Sequence, residues 1–178
     1  MTVTLAADDR RILTLAVHEA GHAIVGTIYG AKVDHAALAE NNNDGLCRFT
    51  TSVLGATPAQ YRAQIAAAGA VAAALFTHGP RPRLHQIEGL LGPGDRRELR
   101  LAALSNGGPF TDPIIAVTPL IRRCWDPIGE LAATLAVDSE IRHPDVCAAL
   151  GLSPDPDRAA FQLALLRSGS APGSFSIK

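Results

Sequence analysis

The apolar positions of this chain fall at helical spacing over most of its length. Leu13, Ala16, Ala20, Ala23, Ile24 and Ile28 recur at intervals that fill one side of a helix, and no proline interrupts the stretch from Ile12 to Tyr29. A first helix is predicted there, with Asp8 or Asp9 able to cap its start and Gly30 where a stop is expected. Two extended stretches follow, Val33 to Ala39 and Leu46 to Val53, joined by Asn41-Asn42-Asn43-Asp44-Gly45. The Asp-Gly step is a strong turn signal, so the pair reads as a β-hairpin beside the first helix, one edge of which is able to hold an extended peptide or simply to cover the core.

Thr57-Pro58-Ala59-Gln60 opens a second helix, with Thr57 as cap, Pro58 at the first helical position and Gln60 able to close a capping box. It runs through Tyr61, Ile65, Gly69, Val71, Ala72 and Leu75 to about His78, where Gly79 and Pro80 stop it. Its alanine-rich middle around Gly69 has little bulk, which predicts close packing against the first helix. Arg81 to Gly92 reads as a loop. A third helix starts at Pro93 and ends near Ser105, broken by Asn106-Gly107-Gly108-Pro109. Beyond it are expected a long helix from about Pro113 to Ala136, kinked at Pro119 or Pro127, a short one from Pro144 to Leu150, and another from Arg158 to Arg167. The expected fold is therefore mainly α with a small β-hairpin or sheet. A helical domain is expected over residues 1–155, and a short C-terminal helix with a mobile tail over 156–178.

A chain of 178 residues is long enough for a substantial core without disulfides. Its net charge of −1 argues against a broad nucleic-acid or acidic-membrane surface. No apolar run approaches the roughly 20 residues that span a bilayer, and the N-terminus, with Asp8, Asp9, Arg10 and Arg11, lacks a signal-peptide core. A cytoplasmic location is expected, with neither nucleic acid nor membrane as partner. Cys47, Cys124 and Cys147 include no CxxC pair and read as structural thiols. His35, His78, His85 and His143 read as surface or capping residues, Trp125 as a core residue, and Arg81, Arg83, Arg96, Arg97 and Arg100 as a solvated face.

One stretch carries identifiable chemistry: Ala16-Val17-His18-Glu19-Ala20-Gly21-His22-Ala23-Ile24-Val25. Residues four apart on a helix share a face, so His18 and His22 can offer ring nitrogens to a single ion, while Glu19 projects roughly 100° away. That places Glu19 beside a metal rather than on it, as a general base. Catalytic zinc sites usually have three protein ligands, so a third must come from elsewhere. The metzincin spacing is excluded, because Val25 and Ile28 stand where that pattern has glycine and histidine. Asp95, in the opening turn of the third helix, is the first choice, since backbone N–H groups there orient a carboxylate. Glu98 is the main alternative, ahead of Glu88, His78 and His85, and Asp95 also reads as a helix cap that Glu98 closes into a box.

The order of parts resembles the zinc peptidase domain of the FtsH-type ATP-dependent proteases. The resemblance rests on His-Glu-Ala-Gly-His-Ala-Ile-Val, then Ala-Gly-Ala-Val-Ala-Ala at 68–73, the Gly-x-Gly-Asp helix start, and Trp125-Asp126-Pro127-Ile128-Gly129-Glu130-Leu131-Ala132. It covers about residues 10–150 and implies a zincin-like helical metallopeptidase fold, zinc as cofactor, His18 and His22 as ligands, and Glu19 as base. The family's Gly-Ala-x-x-Asp-Leu pattern, laid on residues 94–99, puts Glu98 at the ligand place, whereas Asp95 matches by residue type. No phosphate-cradling loop or ATPase module is present in the chain. Its expected substrates are thus peptides or unfolded proteins, some delivered by a separate ATPase or other protein. The alternatives are a non-catalytic metal-binding or interaction module and, most simply, two histidines in core hydrogen bonds with no metal.

Overall fold

The computed structural model describes residues 6–39, 44–50, 59–106, 109 and 111–175. In chain order its elements are α1 (Ala7–Ile28), β1 (Val33–Leu38), β2 (Gly45–Phe49), α2 (Ala59–His78), α3 (Leu84–Gly89) and α4 (Pro93–Asn106). These are followed by α5 (Asp112–Arg123), α6 (Trp125–Asp138), β3 (Glu140–Ile141), α7 (His143–Ala149) and α8 (Pro156–Ser168). The protein is mainly helical with a small antiparallel sheet of order β2-β1-β3, in agreement with the pattern of apolar positions. Thr57, Pro58, Asn41 to Asn43 and Thr51 to Val53 lie outside the described residues.

At the centre, α1 runs antiparallel against α2. Arg10, near the start of α1, donates to the Thr77 carbonyl at the end of α2 (3.1 Å), and Tyr29, just past α1, stacks on Tyr61 near the start of α2. Small residues permit the approach between them. A Cβ on Gly21 would lie 2.9 Å from the Ala68 carbonyl oxygen and 2.9 Å from the Ala72 Cβ, closer than side chains pack. On another side of α1, Gly26 leaves the space that the Phe49 ring of β2 fills. Apolar residues of α1, α2, α5 and α6, among them Ile24, Val71, Ile121 and Leu135, close the core.

Several boundaries differ from the sequence expectation for local reasons. The first helix starts at Ala7 with Ala6 as an extended N-cap, so Asp8 and Asp9 lie inside its first turn, where they face the positive end of the helix dipole. Gly30 does stop it: at φ 90° its N–H bonds the Thr27 carbonyl, and the Ala31 N–H bonds that of Gly26. The loop expected over 81–92 contains α3, started by Gln86 accepting the Arg83 N–H at 2.7 Å. The long helix expected from Pro113 to Ala136 is two helices. Pro127 has no N–H for the Arg123 carbonyl four residues back, and the chain turns at Cys124.

The apolar pattern does not predict β3. It pairs Ile141 with Ala36 and Glu140 with Ala37, too short a strand to show any alternation. At the C-terminal end, Asp155 caps α8 by accepting the Arg158 N–H, and Arg167 donates to the Ile28 carbonyl at 2.7 Å. Leu166 and Phe175 are buried in the same core as α1, so residues through 175 pack with the rest of the molecule.

The helix–helix approach predicts opposite outcomes for two glycine substitutions. Gly21→Ala gains the intrinsic helix preference of alanine, about 1 kcal/mol, yet forces α1 off α2, for a net loss of about 1–3 kcal/mol. Gly129→Ala on α6, where nothing stands within 4 Å of the added carbon, should gain about 0.5–1 kcal/mol. Denaturant midpoints measure both, and equal behaviour of the two variants would contradict the packing.

Candidate metal centre

Three elements converge where α1 passes the middle of α2. His18 and His22 project from α1 with their Nε2 atoms 3.0 Å apart. Asp95 reaches both from the first turn of α4: its Oδ2 lies 3.3 Å from His18 Nε2 and its Oδ1 3.5 Å from His22 Nε2. The three side chains are 10–15% exposed, and one potential ligand atom from each lies within 4.8 Å of the others. Among the described residues no other histidine, cysteine or acid joins the group. Glu98 lines the neighbouring cleft one turn further along α4, and Glu88, His78 and His85 also stand outside the cluster.

Backbone groups hold these side chains in place. His22 Nδ1 lies 2.7 Å from the Ile65 carbonyl oxygen; a carbonyl only accepts, so Nδ1 carries a proton and donates. That aims Nε2 into the site, as backbone carbonyls do behind metal-bound histidines. Asp95 occupies the N3 position of α4, and its Oδ2 accepts the N-cap Gly92 N–H at 3.1 Å while facing His18. Capping the helix and facing the histidines are therefore one arrangement rather than rival roles. Behind it, Arg96 donates to the carbonyls of Leu91 and Glu88, which fixes the turn that carries Gly92. Arg96 thus faces inward and is not part of a solvated arginine face.

Gly69 completes the site from α2. A Cβ there would stand 2.4 Å from His22 Nε2 and 2.6 Å from His18 Nε2, in the space the two rings face. From sequence this glycine reads only as a place of small bulk. Its second role depends on the register of α2 against α1, which no local pattern reports.

The electrostatics follow from burial and proximity. Burial works against a charge on His22, but the adjacent Asp95 carboxylate outweighs it and pushes the imidazole up to about 9. Burial likewise opposes ionisation of Asp95, while His22 and the hydrogen bonds from both histidines hold it well below the usual carboxylate range. Glu19 is 5% exposed, and its burial raises its pKa against the opposing pull of His22 and His18. Its carboxylate lies under β2: a Cβ on Gly45 would be 2.6 Å from Glu19 Oε1.

The group borders an open cleft of about 620 Å³. Glu19 and the two histidines line it together with residues of β2, α2 and the 89–98 stretch. Among the described residues β2 is one of the two outer strands of the sheet, and its Gly45, Leu46, Cys47 and Phe49 line the cleft. Two imidazole nitrogens, one carboxylate and a glycine-lined space fit a divalent cation of zinc's ligand preferences. No family model matches the chain, and no curated protein is significantly similar to it in sequence.

The geometry separates the two candidate acids. Zinc stoichiometry of the purified protein should fall sharply in Asp95→Ala and in Gly69→Ala but persist in Glu98→Ala; loss only in Glu98→Ala would contradict the assignment. The pH dependence of the metal-free protein is a further check. His22, normally near 6.5 and pushed up to about 9, contributes stability fully below 6.5 and loses it as pH rises through 9. Asp95, held below its ordinary 3.8, contributes above that value and loses it only in stronger acid. The melting temperature in chelator should therefore fall between pH 6.5 and 9, less steeply in His22→Asn. An equal slope in both proteins would contradict the pairing.

Proposed function

We propose that this protein is a zinc-dependent peptidase. The observation that carries this reading is a ligand-type triad with a buried carboxylate beside it, open to a cleft lined by an outer strand of the sheet. Three donors and an open side suit a catalytic site better than a structural one, which is closed by four protein ligands. A bound zinc ion would supply Lewis acidity, polarising a peptide carbonyl and making water at the site easier to deprotonate.

The chain's own residues account for the remaining chemistry. Glu19, buried and with its pKa raised, takes a proton from the attacking water and returns it to the leaving amine. Its place under Gly45 directs it toward the part of the cleft where a peptide lying along β2 would pass. The edge of β2 pairs with the main chain of an extended substrate, so flexible or unfolded segments are favoured over folded ones. A separate unfolding or delivery protein would be needed for folded substrates.

A reading as a non-catalytic metal module predicts bound metal without turnover. Glu19→Gln should keep zinc and lose cleavage of unfolded casein by at least about a hundredfold. Undiminished proteolysis in that variant would remove Glu19 as base, and absence of casein cleavage by the zinc-loaded wild type would favour the module.

A further inference from the structure

The cleft is polarised along its length. Beside the His-Asp group its lining is acidic, with Glu19, Asp44 and Glu98, whereas Arg62 of α2 is the one lysine or arginine among its described lining residues. Arg62 is exposed, and among the described residues no carboxylate pairs with it. It lies seven positions before Gly69, close to two full helical turns, so both lie on one face of α2 about 10 Å apart along the axis.

The strand fixes which end of the cleft this is. β2 starts at Gly45 over Glu19 and ends at Phe49 against Gly26, so it runs alongside α1 in the same direction. Tyr29, beyond Gly26, stacks on Tyr61, the neighbour of Arg62. Arg62 therefore belongs to the Phe49 end, and the catalytic group to the Gly45 end. An extended chain rises about 3.3 Å per residue, so a peptide lying on β2 with its cleaved bond at the histidines places a residue about three positions away near Arg62.

We infer that Arg62 is a specificity residue that binds a substrate carboxylate about three residues from the cleaved bond. The carboxylate is an acidic side chain or the free C-terminus, and the guanidinium serves either with paired N–H donors. This inference rests on the peptidase reading, so its test uses binding as well as cleavage.

The probes are fluorescein-labelled ten-residue peptides of alanine and leucine, C-terminally amidated, with one aspartate moved through successive positions. A second set has no aspartate and a free C-terminus at varied distance. Affinities are measured by anisotropy on the zinc-loaded full chain carrying Glu19→Gln, alone and with Arg62→Ala or Arg62→Glu. One carboxylate placement should tighten binding about three- to tenfold. That gain should vanish in Arg62→Ala, and Arg62→Glu should instead favour a lysine at the same place. A gain confined to the amidated aspartate series identifies the side chain, and one confined to the other set identifies the terminus. Equal affinities across both series, gains that persist in Arg62→Ala, or no peptide binding overturn the inference. Arg62-dependent binding with no cleavage by the wild type refutes the peptidase reading alone.

Discussion

Everything at the candidate site depends on how closely α1 lies on α2. Two glycines set that distance and serve different purposes. Gly21 lets the α1 backbone settle against Ala68 and Ala72, and Gly69, the neighbour of Ala68, leaves room for the two imidazoles that the approach brings in. If either helix moved outward, the Ile65 carbonyl would lose His22 and the rings would lose their orientation. Core packing and site geometry are therefore one constraint, imposed by small residues in register rather than by large side chains.

The site concentrates ionisable groups where the protein is otherwise apolar. Burying charge is costly unless it is paired or bound to a cation. Here a carboxylate held by a helix N-terminus faces two imidazoles, and a second carboxylate sits beside them with its own ionisation suppressed by burial. In the metal-free protein, a proton on His22 balances Asp95. A divalent cation would do the same with more charge and would compete with that proton for the Nε2 lone pair.

Much of this was legible in the sequence because it is encoded locally. The spacing of His18, Glu19 and His22 and the apolar face around them define α1, and the alanines about Gly69 signal a close helix contact. An acid in the first turn after Pro93 suggested a carboxylate oriented by backbone, and Asp95 is held in that way by Gly92. The parts the sequence does not show are set by distance in space. β3 is a two-residue strand visible only through its pairing with Ala36 and Ala37. The division of the long helix at Cys124 follows from a proline whose effect could equally have been a kink. Gly69 as a ring-facing glycine, Arg96 as an inward clamp and Arg62 as the cleft cation all require knowing which helix face meets which neighbour.

The central claim is that α1, α2 and the start of α4 shape one cation site from His18, His22 and Asp95. A crystal structure of the zinc-loaded protein, with anomalous data at the zinc edge, tests it most directly. The account predicts a single anomalous peak about 2.0–2.2 Å from His18 Nε2, His22 Nε2 and an Asp95 carboxylate oxygen, facing Gly69. Zinc held instead by Glu98 or a cysteine, or a site that stays empty at saturating zinc, would contradict it.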